Sequence, residues 1–199
     1  MGKRLFDIVV SLTGIVLLLP VGLLIALAIR LESSGSPIFR QRRAGRGGKP
    51  FCMLKFRTMR ADVEPYGHSP RGPEDPRLTR LGRFLRETSL DELPQLCNVL
   101  IGQMSLVGPR PLYERQAALW NPRQRRRLEV RPGMTGYAQV FGRADRTHEE
   151  KLELDAHYVE HRSFLMDLKI LFKTLTIAFS RRSSTYEKQY SETKDRETD

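Results

Sequence analysis

Cysteine is scarce in this chain: Cys52 and Cys97 are the two among 199 residues, forty-five positions apart, with no CxxC pair and no histidine at ligand spacing. That excludes a disulfide framework and a zinc ribbon, and it fits a reduced, cytosol-facing setting. Long apolar runs are nearly absent as well. One exists, and with 29% charged residues and a mean hydropathy of −0.42 the chain cannot be a polytopic membrane bundle. A complete P-loop, GxxxxGK[ST], is missing, and no internal repeat is visible. Acidic residues are thin in one region: residues 1–60 hold eleven Lys and Arg against two acids, net +9, whereas residues 61–199 are nearly balanced at net +2. The length suits one domain with an appendage, and its basicity belongs to the N-terminal end.

The single apolar run reads from Ile8 to Ile29, twenty-two residues without a charge, between Lys3-Arg4 and Arg30. As a straight helix it covers about 33 Å, roughly a bilayer core. A cleaved signal peptide would use Ala26-Leu27-Ala28 as its processing site, but the segment 30–60 that follows carries nine basic residues and one acid, a poor start for an exported protein. A spanning helix should be basic mainly on its cytoplasmic side, yet both flanks are basic and Pro20 sits near the middle. A helix kinked at Pro20 that enters and leaves by one face satisfies both facts and sets Lys3, Arg4 and Arg30 against anionic headgroups. The carbonyl freed at the kink then needs a partner, with Ser11 and Thr13 as candidates. Residue physics leaves spanning and re-entrant topologies level.

Beyond this run, Pro37–Arg60 reads as a hairpin with its turn at Gly45-Arg46-Gly47-Gly48 and a strand over Phe51–Phe56. Residues 61–79 have the composition of a mobile loop. Short helices are expected over Leu78–Leu85 and Leu90–Leu100. A strand-like stretch near Met104 should end at Pro109 and Pro111 and lead into a basic helix with Arg123, Arg125, Arg126 and Arg127; Arg131–Gly136 is turn chemistry. Helices follow over His148–Glu160 and Ser163–Phe179, the last with an apolar face of Phe164, Leu165, Leu168, Leu171, Phe172, Leu175, Ala178 and Phe179 suited to core packing or to a membrane interface. The polar residues 181–199 read as a disordered tail. The fold class is α+β, mainly helical with a small β-hairpin or sheet.

Chemistry concentrates at Ser89-Leu90-Asp91-Glu92. Ser89-x-x-Glu92 fits a capping box, a purely structural role. Two adjacent carboxylates among cations can also bind Mg²⁺ while one attacks phosphorus. Lys55, Arg57, Arg80, Arg83, Arg86, Arg110 and Arg131 lie in short turn-bounded motifs, and arginine forks match phosphate oxygens. His157-x-x-Glu160-His161 matches an inverted zinc-protease motif, but with no further acid ligand motif the histidines read as partly exposed helix residues. A noncatalytic alternative is a peripheral basic protein binding membranes or nucleic acid; it leaves Asp91-Glu92 unexplained, and no aromatic residues interleave with the basic run as a nucleic-acid module requires.

The block Lys55-Phe-Arg-Thr-Met59, then Leu78 through Gln95, Asn98 and Met104-Ser-Leu-Val-Gly-Pro-Arg-Pro111, resembles the bacterial sugar transferases, the monotopic polyprenyl-phosphate phosphoglycosyltransferases. Arg131–Gly136, Gly142-Arg143, Leu154-Asp155-x-x-Tyr158 and Asp167-Leu-Lys-Ile170 continue the likeness, which runs from about Lys3 to Phe179. Family members often break the membrane helix at Ser-Pro; here the pair is Leu19-Pro20. The resemblance implies a re-entrant membrane helix over 1–32, a catalytic domain over 33–180 and amphipathic interfacial helices, on the cytoplasmic face of the bacterial inner membrane. It implies transfer of a sugar 1-phosphate from a UDP-sugar to undecaprenyl phosphate with release of UMP, a step of glycoconjugate assembly. Asp91 would be the nucleophile of a ping-pong cycle, with Glu92 beside it sharing Mg²⁺ or orienting the lipid phosphate. Lys55, Arg57, Arg86, Arg110 and Arg131 would contact phosphates, and Arg143 and Asp155 would organise the nucleotide-sugar side. The stretch Gly142–Lys151 loosely resembles members that use N-acetylated amino sugars.

Overall fold

A computed structural model describes residues 2–63, 70, 72–142 and 146–179. Arg143, residues 64–69 and 71 of the loop expected over 61–79, and the tail expected over 181–199 lie outside these residues. The chain is mostly helical with two small two-stranded sheets.

Helix α1, Gly2–Glu32, contains Pro20. Its 31 residues extend about 45 Å along the helix axis. Two arms of α1 pack on the same body. In the first arm Lys3 donates to the Val107 carbonyl at 3.1 Å and to Asp167 at 2.5 Å, and Arg4 donates to the Val99 and Leu100 carbonyls at 2.6 and 2.7 Å. Asp7, buried, accepts the Leu106 amide at 3.1 Å. In the second arm Ile25 and Ile29 are buried with Phe56 and Leu85, each isoleucine worth about 1.5–3 kcal/mol of apolar burial. Between the arms, Val16, Leu17, Leu18, Leu19, Pro20 and Val21 are exposed, more than a full turn with no face covered. The expected role of Ser11 needs correcting: its hydroxyl donates to the Ile8 carbonyl at 3.2 Å, three residues back, so it is not the partner of the carbonyl freed by Pro20. Thr13 is exposed.

Strands β1 (Ile38–Ala44) and β2 (Pro50–Phe56) form the expected antiparallel hairpin, joined through a 3₁₀ turn at Arg46–Gly48. Helix α2 spans Arg80–Glu87, capped by Thr79, whose side chain accepts from the Gly82 amide. The single helix expected over Leu90–Leu100 is instead a 3₁₀ turn, Leu90–Glu92, followed by α3, Gln95–Leu100, with Pro94 at the junction. Proline lacks the amide that a continuous helix would use there. Arg4 covers carbonyls in the last turn of α3, where the helix leaves acceptors unfilled and favours a cation.

The segment read as turn chemistry at 131–136 holds a strand. β3 (Ser105–Val107) pairs in parallel with β4 (Gly133–Thr135). The glycine that suggested a turn serves close backbone approach: a Cβ on Gly133 would lie 2.1 Å from the Gly108 amide nitrogen. The basic helix expected around Arg123–Arg127 is a short α4, Pro122–Arg125, running into a 3₁₀ turn at Arg126–Glu129. After α5 (Tyr137–Phe141) come α6 (His148–His161), with a Thr147/Glu150 capping box, and α7 (Phe164–Phe179).

The main core gathers Phe51, Met53, Val99, Met104, Val107, Tyr158 and Ile170 between the hairpin, α3, β3, α6 and α7. On α7 the core side is Asp167 and Ile170, while Leu165, Leu168, Phe172 and Leu175 are exposed. Much of the apolar face read from the sequence thus points away from the protein.

Candidate active site

Lys55 is set by the pleat of β2. Side chains two apart share a face, so Lys55 follows Phe51 and Met53 toward the interior at the strand's end. A lysine there needs partners because burying an ammonium alone is costly. Its Nζ lies 2.7 Å from Glu92 Oε1 and 3.8 Å from Asp91 Oδ2.

The two carboxylates are delivered by a backbone feature the capping-box reading missed. Ser89 adopts a left-handed conformation (φ 57°), the one such non-glycine among the described residues, and its side chain makes no cap bond. That conformation costs of order 1–3 kcal/mol, and it starts the turn that sets Asp91 and Glu92 side by side. Arg110, from the loop after β3, brings Nη1 within 3.7 Å of Glu92 Oε1. Arg86, in the last turn of α2, donates its Nε to Thr58 Oγ1 at 2.9 Å. Thr58 is buried, and its backbone is so close to α2 that a Cβ on Gly82 would fall 2.0 Å from its carbonyl oxygen. Thr58 therefore locks α2 and aims Arg86; it was only one letter of a motif in the sequence.

Asp91 is 5% exposed, and its Oδ1 is buried with no hydrogen-bond partner. Burial pushes its pKa above the ordinary aspartate value; Lys55 opposes this, Glu92 adds to it, and Arg86 and Arg110 oppose it. At the start of a single 3₁₀ turn, desolvation thus outweighs the cations at Asp91. Burial also acts on Glu92, but Lys55, Arg110 and Arg86 outweigh it and hold that carboxyl down at about 2. Two neighbouring acids thus have opposite proton affinities, a common mark of reactive sites.

Of the other expected site residues, Arg57 donates to the Ser33 and Ser34 carbonyls at 2.8 and 2.5 Å and to the Ser33 hydroxyl, closing the end of α1. Arg131 donates to the Gly102 carbonyl at 2.8 Å. Asp155 is buried against Arg127 at 2.8 Å, and burial lifts its pKa to about 6 against the pull of Arg127 and Arg110. His157, Glu160 and His161 bring possible ligand atoms within 4.8 Å of one another, but the Glu160 carboxylate faces Arg126 at 3.0 Å and Arg123 at 3.4 Å.

A buried, unpartnered carboxylate oxygen in a ring of three cations suits attack on a phosphorus centre whose negative charge the same cations absorb. The family model for bacterial sugar transferases matches residues 1–181. The chain belongs to the bacterial sugar transferase family. Among curated relatives, an uncharacterized sugar transferase, EpsL, of Bacillus subtilis (strain 168) is 48% identical over 177 residues, covering 87% of this chain and 85% of the relative. A UDP-glucose:undecaprenyl-phosphate glucose-1-phosphate transferase of Caulobacter vibrioides is 44% identical, covering 87% of this chain and 68% of the relative. The protein of that description in Escherichia coli (strain K12) is 42% identical, covering 89% of this chain and 40% of that longer relative. This sugar transferase shares the matched region with each of them, and that region includes Asp91, Glu92 and their cations.

Proposed function

We propose that this sugar transferase moves a sugar 1-phosphate from a UDP-sugar to undecaprenyl phosphate, releasing UMP, through a covalent intermediate on Asp91. The observation that carries the reading is the buried Asp91 carboxylate with an unpartnered oxygen, beside Glu92 and within reach of Lys55. In the first half-reaction an Asp91 oxygen bonds to the phosphorus bearing the sugar, and the bond from that phosphorus to the UMP oxygen breaks, its electron pair leaving with UMP. In the second, an oxygen of undecaprenyl phosphate bonds to the same phosphorus and the Asp91 carboxylate is regenerated. Desolvation makes the ionised Asp91 a stronger nucleophile, while Lys55, Arg86 and Arg110 offset repulsion between carboxylate and diphosphate.

Adjacent hard oxygen donors, one of them buried without a hydrogen-bond partner, fit a divalent cation of the Mg²⁺ class, which Asp91 and Glu92 would hold. Such an ion supplies charge neutralisation at the diphosphate. Lys55 keeps Glu92 ionised for that role.

The membrane reading rests on α1. Both arms pack on one domain while residues 16–21, with Pro20 among them, stand clear of it, which supports α1 entering and leaving the cytoplasmic leaflet of the bacterial inner membrane. Residues 33–180 then form the catalytic domain, with the exposed apolar side chains of α7 lying on the same anionic lipid surface. A soluble donor and a membrane-bound acceptor can use one site in turn. The competing polyanion-binding reading loses support because Lys3, Arg4, Lys55 and Arg57 are committed to internal partners.

The test is UMP release from a panel of UDP-sugars, including UDP-glucose, UDP-galactose and the N-acetylated amino sugars, with and without polyprenyl phosphate. Label from a sugar-phosphate donor should pass to the protein when acceptor is withheld. No UMP from any donor would overturn the reading. For topology, Cys52 and Cys97, both exposed, are first replaced by serine. Gly2→Cys is open, since a Cβ there meets nothing within 4 Å, and Ser36→Cys is exposed, whereas Gly35 carries φ +100° beside Arg57 and is a poor choice. Both cysteines should react from the cytoplasmic side; labelling from opposite sides would establish a spanning helix.

A further inference from the structure

The loop that carries Arg110 has an uncommon construction. Pro109 and Pro111 flank Arg110 and have no amides, so a regular ladder cannot hold the segment. Its carbonyls are instead taken singly. The Pro109 carbonyl accepts from the Gly133 amide at 2.9 Å, and the Leu112 carbonyl accepts from the Ala44 amide at 2.9 Å. Between them, the Arg110 carbonyl accepts from Nη2 of Arg127 at 2.5 Å. The same Nη2 lies 2.8 Å from Asp155 Oδ2, and the Arg127 guanidinium rests over the Trp120 ring at 4.7 Å. Arg127 and Asp155 expose only 3% and 4% of their side chains. Neither reaches a surface where a soluble nucleotide could bind.

We infer that Arg127 and Asp155 are positioning residues: Asp155 orients Arg127, and Arg127 fixes the backbone of Arg110 so that its guanidinium stands against Glu92. This rests on the transferase reading and differs from a nucleotide-contact role for Asp155. The geometry links the two clusters through one residue, since the Arg110 side chain lies 3.7 Å from Glu92 while its carbonyl is bound by Arg127. A buried ion pair is weak as a stabiliser, because desolvation offsets its attraction, but the paired groups have fixed positions. Misplacing a charge-stabilising group by about 1 Å costs roughly 100-fold in rate.

The experiment is a double-mutant cycle on the full chain in detergent or nanodiscs. Arg127→Met with Asp155→Leu replaces the pair by apolar groups of similar volume, a change that buried pairs tolerate. It should stay folded, melt close to wild type, and lose roughly 10- to 100-fold in kcat for UMP release with little change in KM for the UDP-sugar. Adding Arg110→Ala should cost little further, because the loss passes through Arg110. Unchanged kcat, multiplicative losses, or a selective rise in KM would overturn the positioning role; the last two would indicate direct substrate contact. Asp155→Asn gives a second variant should the double replacement not fold, with a smaller loss expected in the same cycle. Hydrogen exchange supplies a readout free of turnover. The amides of Gly133 and Ala44, which donate to the Pro109 and Leu112 carbonyls of this loop, should exchange faster in either variant while those in the middle of β1 and β2 do not; unchanged exchange would also overturn the proposal. A wild-type chain that releases no UMP, yet loosens there in the variants, would sink the transferase reading alone.

Discussion

Asp91 and Asp155 are both aspartates under 6% exposed, both face arginine or lysine, and burial lifts the pKa of each. They differ in what completes the shell. Each leaves its Oδ1 buried without a hydrogen-bond partner, but Asp155 has one close cation, Arg127, in a closed setting that also holds a backbone carbonyl and the Trp120 ring. Asp91 has a second carboxylate beside it that absorbs the nearest cation: Lys55 is 2.7 Å from Glu92 but 3.8 Å from Asp91. Burial with a committed partner makes a strut. Burial beside a competitor for the same cation leaves a carboxylate available for reaction.

The largest effect that could break this contrast is at Asp91. Asp91→Asn should lower turnover by on the order of 10⁴-fold and abolish transfer of label to the protein, with little change in the melting temperature. Near-normal turnover would remove the nucleophile from the scheme. Arg127→Met alone should do the reverse kind of damage, a loss of about 3–5 kcal/mol in unfolding free energy, because Asp155 is left buried without its cation. Denaturant melts measure it, and an unaltered midpoint would reclassify the pair as dispensable.

The acid side of the pH profile sharpens the comparison. Asp155 is raised to about 6, so between roughly pH 4 and 6 the folded chain holds a proton that the unfolded chain has lost. Its contribution to stability is full below about pH 4 and disappears as pH rises through 6. Glu92, held down at about 2, has the opposite sign: its contribution is present above the ordinary glutamate value and is lost as pH falls through 2. Denaturation midpoints should therefore decline between pH 4 and 6 by an amount that vanishes in Asp155→Asn; a slope kept in that variant would assign the titration elsewhere. The smallest effect is expected at Thr58. Thr58→Val removes the acceptor of Arg86 Nε and should reduce kcat/KM by about tenfold, whereas Thr58→Ser retains most activity. Equal losses in both would mean that the methyl group, not the hydroxyl, is what matters.

Local signals were read well where local physics decides. The second hairpin strand expected over Phe51–Phe56, α6 and α7 lie within a residue or two of their expected bounds because strand alternation, glycine turns and 3.6-residue periodicity act over short range. Pro94 was visible too, and its missing amide explains why one expected helix became a turn and a shorter helix. β4 was not legible: Gly133-Met134-Thr135, set between Pro132 and Gly136, carries no strand pattern, and only the parallel partner Ser105–Val107 makes it a strand. Among the expected phosphate ligands, Lys55, Arg86 and Arg110 gather about Asp91 and Glu92, while Arg57 and Arg131 donate to backbone carbonyls elsewhere. Their residue type and motif setting were alike. Lys55 alone carried a further sign, because strand alternation put it on the buried face.

Sequence by itself determined most of the elements, the single apolar helix with its basic flanks and central proline, the adjacent carboxylates and the family likeness. Each of these is either covalent order or a periodicity of a few residues. Tertiary structure alone decided that both arms of α1 pack on one domain, that burial outweighs the cations at Asp91 while cations outweigh burial at Glu92, and that Asp155 pairs with Arg127 behind Arg110. Desolvation and charge interaction depend on distances between residues far apart in the chain, and those distances exist only after folding.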